Sequence, residues 1–517
     1  MARRAQPVSA RPGIGAAACI AALVLGTLAA VAWRAEPGGG LSAADWAALR
    51  FTLLQATLSA LFSVGLAIPV ARALARRRFA GRSALIALLG VPFILPLIVA
   101  ILGLLEVFGR AGLISQLLGL FGLDPIRIYG LHGVVLAHVF LNLPLATRLI
   151  LQGWQEVPAE RFRLAAQLGF DAPAMFRLIE WPLLRQVIPG ALAVVFAICL
   201  TSFAVALTLG GGPKATTIEL GIYQAFRFEF DLGRAALLSG LQILLATGAA
   251  MVAIRLAQGT GFGTGLDRSL RRWDGRTTLA RTTDTVWIAL AAAFLLLPLG
   301  AIVASGVLGF AGLPFVVWKA AGVSLLVATA STLLLLLAAL PMAAAIATGR
   351  HGIEVAGLLG LAASPLVIGT GLFILIRPIA DPFLLALPVT ALVNALMSLP
   401  FAMRILVPRA RDIVERYGKL GLSLDMANGP FLWRVFLPRM RAQIGFAAGL
   451  GMALSIGDLG VITLFADPDI ATLPLQIYRL MGSYQMEAAS GGALLLLLLS
   501  VGTFWLLDRG GRHHAEI

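Results

Sequence analysis

About twelve apolar runs, each of roughly 20 residues, succeed one another along this chain, and they leave it little freedom. In lipid no water is at hand to take an unpaired N–H or C=O, so such a run satisfies its own backbone only as a helix. In the first half the runs lie at 14–33, 50–74, 84–108, 129–152, 187–209 and 232–257. In the second they lie at 284–308, 320–347, 353–376, 383–407, 442–465 and 488–508. The composition agrees, since 59% of the residues are hydrophobic and only 13% charged, a balance that soluble domains do not reach. The predicted fold class is an all-α integral membrane protein of about 12 transmembrane helices. The first run follows Arg3, Arg4 and Arg11, and its length suits a spanning helix better than the core of a signal peptide.

Charge sets the orientation. The formal net charge is +15. With a cytoplasmic N-terminus, most Lys and Arg residues fall in the inner loops Arg72–Arg82, Arg148–Arg185, Arg255–Arg281 and Arg404–Arg441, with Arg350 and the tail residues Arg509 and Arg512. That asymmetry predicts an even number of spans with both termini in the cytoplasm, and it explains the basic excess without a nucleic-acid partner. Cys19 and Cys199 lie inside apolar runs, which argues against a disulfide framework. The histidines His132, His138, His351, His513 and His514 do not cluster as metal ligands would, so no metal site is expected.

The chain is a repeat. Leu143-Pro144 with Arg148 matches Leu399-Pro400 with Arg404, and Trp181-Pro182 matches Leu437-Pro438 at the same spacing. Leu53, Ala56, Ser59 and Pro69 match Leu325, Ala328, Ser331 and Pro341 at a wider one, which predicts extra chain in the first half near Arg110–Arg127. The layout expected is a first half over 1–257, a basic, glycine-rich cytoplasmic linker over 258–283, and a second half over 284–517. Two parallel six-helix repeats place a pseudo-twofold axis along the membrane normal and a pathway between them.

Each half carries one long polar loop, 155–186 and 412–443. Each loop is expected to run from an acidic residue through a short amphipathic helix to an aromatic-rich segment and then a proline. Leu164, Leu168 and Phe176 supply an apolar edge, with Arg161, Arg163 and Arg177 around it. One reading is a helix lying on the inner leaflet. The other is a coupling helix seated on a cytoplasmic motor, and two equivalent loops then imply two equivalent motor subunits.

At these loops the chain resembles the permease subunits of binding-protein-dependent ABC importers of the type I layout, whose coupling loops carry a Glu-Ala-Ala-like triplet, a glycine and a Leu-Pro-like pair. The first copy here is Leu164-Ala165-Ala166, Gly169 and Trp181-Pro182, with Phe170, Pro173 and Phe176 in the same loop. The second is Leu420-Gly421-Leu422, Asp425 and Leu437-Pro438, with Met426 and Phe431. Both lack the glutamate, and the second has aspartate for the glycine. The stretches Leu136–Gln155, Ser202–Gly240, Leu454–Phe465 and Thr472–Tyr484 are similar to the thiamine and thiamine-pyrophosphate importer permeases.

The resemblance implies two copies of a cytoplasmic ABC ATPase, an extracytoplasmic thiamine-binding protein, and a bacterial inner-membrane location. It implies no cofactor bound by this chain, ATP and Mg²⁺ being used by the partner. The sequence agrees, because Gly212-Pro213-Lys214 and Gly418-Lys419 lack the glycine spacing of a P-loop. The chain is therefore expected to be a permease and not an enzyme. Two readings stay open beside thiamine: a ferric-iron permease of the same layout, and an ion-coupled secondary transporter.

Four residues are candidates for the pathway. Asp458 is the clearest intramembrane carboxylate, placed either to face the pathway or to pair with a helix end or a nearby arginine. Phe203 is its counterpart in the first half. His138 and Asn394 precede the Leu-Pro pairs and suit hydrogen bonds between helices. The segments Gly210–Asp231 and Ala466–Glu487 are expected to form short helices on the outer face, where Lys214, Glu219, Glu229, Asp467 and Asp469 would meet a binding protein.

Overall fold

The computed structural model describes residues 7–35, 40–90, 94–256, 275, 277–350, 352–362, 364–465 and 470–512. Asp467, Asp469, His351, His513, His514 and most of the expected linker lie outside the described residues. The described chain is all-helical. Eleven helical stretches are long and apolar enough to span a bilayer, or twelve if one bent pair counts as a single span. This is a multi-pass membrane protein.

The first half runs through α1 (Arg11–Arg34), α2 (Ala43–Arg76), α3 (Arg82–Leu88), α4 (Leu97–Phe108), α5 (Leu113–Leu120) and α6 (Leu131–Glu156). The polar loop follows as α7 (Ala159–Gln167) and α8 (Ala172–Met175), which runs through one π turn, Phe176–Glu180, into α9 (Trp181–Leu200). Then come α10 (Ala204–Leu209), α11 (Ile218–Arg227) and α12 (Leu232–Leu256). The order recurs with α13 (Thr278–Phe310), α14 (Phe315–Ala347), α15 (Ile353–Ala362), α16 (Pro365–Ile376) and α17 (Ala386–Ser423). It ends with α18 (Gly429–Phe431), a π turn at Leu432–Phe436, α19 (Leu437–Ile456), α20 (Gly460–Phe465), α21 (Leu473–Gly482) and α22 (Met486–Arg512). The extra chain expected near Arg110–Arg127 contains α5, which the second half lacks.

Four apolar runs are not the single helices expected of them. The run at 84–108 is α3 and α4, with Pro96 in extended backbone as the residue before α4. The run at 353–376 is α15 and α16, whose axes diverge by 96°. The runs at 187–209 and 442–465 both stop short, at Leu200 and Ile456, and restart as the half-helices α10 and α20. Non-helical backbone at such depth is tolerated where it is buried in protein or lines a cavity.

The first helix of each half crosses to the other half. Helix α1 packs on α14 and α16, while α13 packs on α2 and α4. Both crossings are seams of backbone on backbone. A Cβ on Gly371 of α16 would stand 2.5 Å from the Thr27 carbonyl oxygen of α1, and one on Gly103 of α4 would stand 2.5 Å from the Pro298 carbonyl oxygen of α13. Small residues let helices approach this closely where lipid offers no hydrophobic drive to associate.

Candidate functional site

The two polar loops end their first helices with the same turn. In the first, Gly169 takes φ +66°, its N–H donates to the Ala166 carbonyl at 3.2 Å, and the Phe170 N–H donates to Ala165 at 3.0 Å. In the second, Asp425 takes φ +56°, its N–H donates to Leu422 at 3.2 Å, and the Met426 N–H donates to Gly421 at 2.8 Å. This is a Schellman motif in both copies. Aspartate is among the few residues besides glycine that enter the left-handed region readily, so its replacement of the glycine leaves the turn intact.

The loops differ at their start. Pro158 pushes Val157 into extended backbone, which ends α6 and makes α7 a separate helix. Val414 occupies the equivalent position of the second loop, and α17 continues unbroken to Ser423. The short separate helix expected in both loops is therefore present only in the first. Both loops then pass through the π turn just before Pro182 and Pro438, where the Trp181 N–H donates to Phe176 and the Leu437 N–H to Leu432. A π turn widens the helix where a proline ring would otherwise clash with the turn before it.

Burial sorts the loop residues. Leu164 and Leu168 are 55% and 62% exposed, and so are their equivalents Leu420 and Leu424. Ala166, Pro173 and Phe176 also face outward, as does Asp425. Phe170, Leu422 and Met426 are half-buried. Ala165 faces inward, in one cluster with Val157, Phe162 and Met175. Gly421 is buried against the fully buried Phe431. The Phe176 ring lies 6.1 Å from that of Trp181, and the Arg72 guanidinium sits over it at 5.4 Å.

Deeper in the protein, a cavity of about 420 Å³ opens between the halves. It lies at the breaks α9–α10 and α19–α20, and its wall includes His138, Phe203, Glu219 and Asp458. Asp458 caps the start of α20, its Oδ1 accepting the Gly460 N–H at 3.2 Å, while Oδ2 has no partner among the described residues. It thus serves a helix end and faces the cavity at once. His138 Nδ1 meets the Ser59 hydroxyl at 3.2 Å, tying α6 to α2, and Nε2 has no partner among the described residues. Asn394 is not in the cavity wall. Its amide donates to the Ser455 hydroxyl at 3.0 Å and joins α17 to α19.

No protein-family model matches the chain. The thiamine transport system permease protein ThiP of Escherichia coli (strain K12) is 39% identical over 529 residues, covering 98% of both chains. ThiP of Salmonella typhimurium is 39% identical over the whole of both chains. ThiP of Brucella abortus (strain 2308) is 38% identical, over 97% of this chain and 95% of its own. The chain belongs to the thiamine transport permease family.

In this permease one acidic residue lies far from where its charge suggested. Glu219 was expected on the outer face, yet it is fully buried and lines the cavity, whereas Lys214 and Glu229 of the same segment are exposed. The short helices expected there do form, as α11 and α21, but α11 packs against α2, α12 and α16. The signal was present in the neighbours. Ile218, Leu220 and Ile222 surround Glu219 with apolar residues, which a solvated loop does not require.

Proposed function

We propose that the permease carries thiamine and its phosphates between its two halves, driven by ATP hydrolysis in two copies of a separate cytoplasmic ATPase that uses ATP and Mg²⁺. A solute-binding protein delivers the substrate to the outer face, and both termini lie in the cytoplasm. Residues 1–257 and 284–517 act as the two moving halves, joined by the linker at 258–283. Asp458, Phe203 and His138 line the path, and Asn394 holds α17 to α19 beside it.

One observation carries the docking part of this reading. Leu164 with Leu168 and Leu420 with Leu424 present two leucine pairs, matched in position and exposure, on loops that end in the same turn. A residue of that size left in water twice, at equivalent places, marks a surface that two like partners cover. Ala165 and Gly421 serve this surface from beneath, by packing on Met175 and Phe431. The orientation has support in the packing, since the Asn428 N–H of the second loop donates to the Pro7 carbonyl and so places the N-terminal segment beside that loop.

The test is uptake into liposomes holding the permease, its ATPase and its binding protein, with ATP supplied to the ATPase. ATP-dependent entry of labelled thiamine is expected. Entry of ferric iron alone would keep the architecture and overturn the substrate. Entry driven by an ion gradient without the ATPase would overturn the class. Leu164→Glu with Leu420→Glu is expected to abolish thiamine-stimulated ATP hydrolysis while membrane insertion stays intact.

A further inference from the structure

We propose that Glu219 and Asp458 form a cation-binding chamber in the permease itself, which holds the positively charged thiazolium ring of thiamine part-way across. This rests on the thiamine reading above and adds a discrete binding step to it. The two carboxylates come from different halves, Glu219 on α11 and Asp458 at the break between α19 and α20, and both line the same cavity. The cavity volume, about 420 Å³, falls within the roughly 300–1,000 Å³ of small-molecule sites.

Their chemistry is unbalanced as the protein stands. The side chains of Gln242 and Ser364 stand beside Glu219. Both of these neighbours are neutral, so neither supplies a counter-charge to Glu219, and Oδ2 of Asp458 has no hydrogen-bond partner among the described residues. Among the described residues, no lysine or arginine is in the cavity wall. Burying a carboxylate without a compensating charge is costly, and ionisable groups at membrane depth persist where function uses them. A cation of organic size entering the cavity supplies the missing charge.

The repeat sharpens the point. Thr217-Ile218-Glu219 corresponds to Thr472-Leu473-Pro474, and the matched ends of α9 and α19 and starts of α10 and α20 put Ser202, not the neighbouring Phe203, where the second half has Asp458. Each half thus contributes one carboxylate at a position that is neutral in the other, so repeat symmetry does not account for the pair. Phe203 adds an aromatic wall, its ring 5.3 Å from that of Tyr223, and aromatic faces attract organic cations.

The test uses the complete transporter, permease with ATPase and binding protein, in liposomes with labelled thiamine. Glu219→Gln and Asp458→Asn are each expected to reduce uptake by about tenfold, the scale of one lost charge-assisted contact. ATP hydrolysis stimulated by the liganded binding protein should persist, and Glu219→Asp should recover most of the uptake. Wild-type transporter that fails to carry thiamine would remove the substrate reading. Wild-type transport with undiminished uptake by both neutral variants would overturn the chamber alone. A second measurement needs no variant. Dicyclohexylcarbodiimide, which modifies carboxyl groups in apolar surroundings, is applied to the wild-type protein and its adducts are mapped by mass spectrometry. Thiamine at millimolar concentration should protect Glu219 and Asp458, whereas equal sodium chloride should not. Labelling that thiamine leaves unchanged would overturn the proposal even if the variants fail to fold.

Discussion

The ring of Phe431 lies against Gly421 so closely that a Cβ at residue 421 would stand 2.6 Å from it. The first loop solves the same packing problem with Ala165 and Met175 at the equivalent positions, a larger residue facing a slimmer and more pliable one. Gly421→Ala should therefore overpack the second loop and cost about 1–3 kcal/mol. Adding Phe431→Met should restore most of it. Thermal unfolding of the purified permease measures both variants, and ATPase stimulation in the reconstituted transporter reads the coupling proposed for the loop. A double variant no better than the single would show that the two positions are not packing partners.

The left-handed turn offers a second comparison. Asp425 and Gly169 occupy the same conformation, with φ of +56° and +66°. Asp425→Gly should be neutral or slightly stabilising. Asp425→Ala and Gly169→Ala should each cost roughly 1 kcal/mol, the penalty of a Cβ in left-handed backbone. No Cβ clash confuses the reading at Gly169, where space is open. Equal stability of the glycine and alanine variants at residue 425 would contradict the turn.

Much of this architecture was legible from the residues, and the losses have a common cause. The spacing of Trp181-Pro182 and Leu437-Pro438 marked loops that share both a Schellman turn and a π turn. Hydropathy, in contrast, cannot see a break inside an apolar run. The half-helices α10 and α20 are as oily as the spans they follow, so 187–209 and 442–465 read as continuous. Glu219 was lost for the converse reason. Its charge suggested solvent, and only the packing of α11 puts it inside. The unbroken α17 was readable in principle, because the proline that ends α6 has Val414 at its counterpart.

An ion network fixes the first loop where the second uses apolar packing. Glu180, fully buried, meets Arg72 at 2.7 Å and Arg76 at 3.6 Å. Arg77 meets Asp284 of α13 at 2.7 Å, with Arg76 at 4.0 Å from the same residue. The equivalent of Glu180 is the fully buried Phe436. Glu180→Gln removes the charge but keeps the size, and takes away one of the carboxylates that face Arg76, which is only 5% exposed. Breaking a buried pair from one side costs about 3–5 kcal/mol, and the partial exposure of Arg72 moves the expectation to the lower end. A fall in unfolding temperature should accompany a loss of coupling between thiamine and ATP hydrolysis. An unchanged melting profile would show that the network contributes little to the loop's position.

The seams between the halves give the cleanest substitution series. Gly103 and Gly371 face the Pro298 and Thr27 carbonyl oxygens, each with room for a hydrogen and none for a methyl group. The obstacle is backbone, so no rotamer change relieves it. Each Gly→Ala variant should separate one crossing helix from its neighbour and cost about 1–3 kcal/mol. Gly26 and Gly300 lie on the same crossing helices, α1 and α13, with nothing within 4 Å of an added Cβ. Alanine there should be neutral or stabilise by up to about 1 kcal/mol, because glycine is the poorer helix former. Two seams on opposite sides should also add nearly independently, so the Gly103→Ala, Gly371→Ala double variant should lose the sum of the single effects. Thermal unfolding of the five variants beside wild type decides it. Losses at Gly26 and Gly300 equal to those at Gly103 and Gly371 would mean that helix propensity, and not the crossing of the first helices, sets the response.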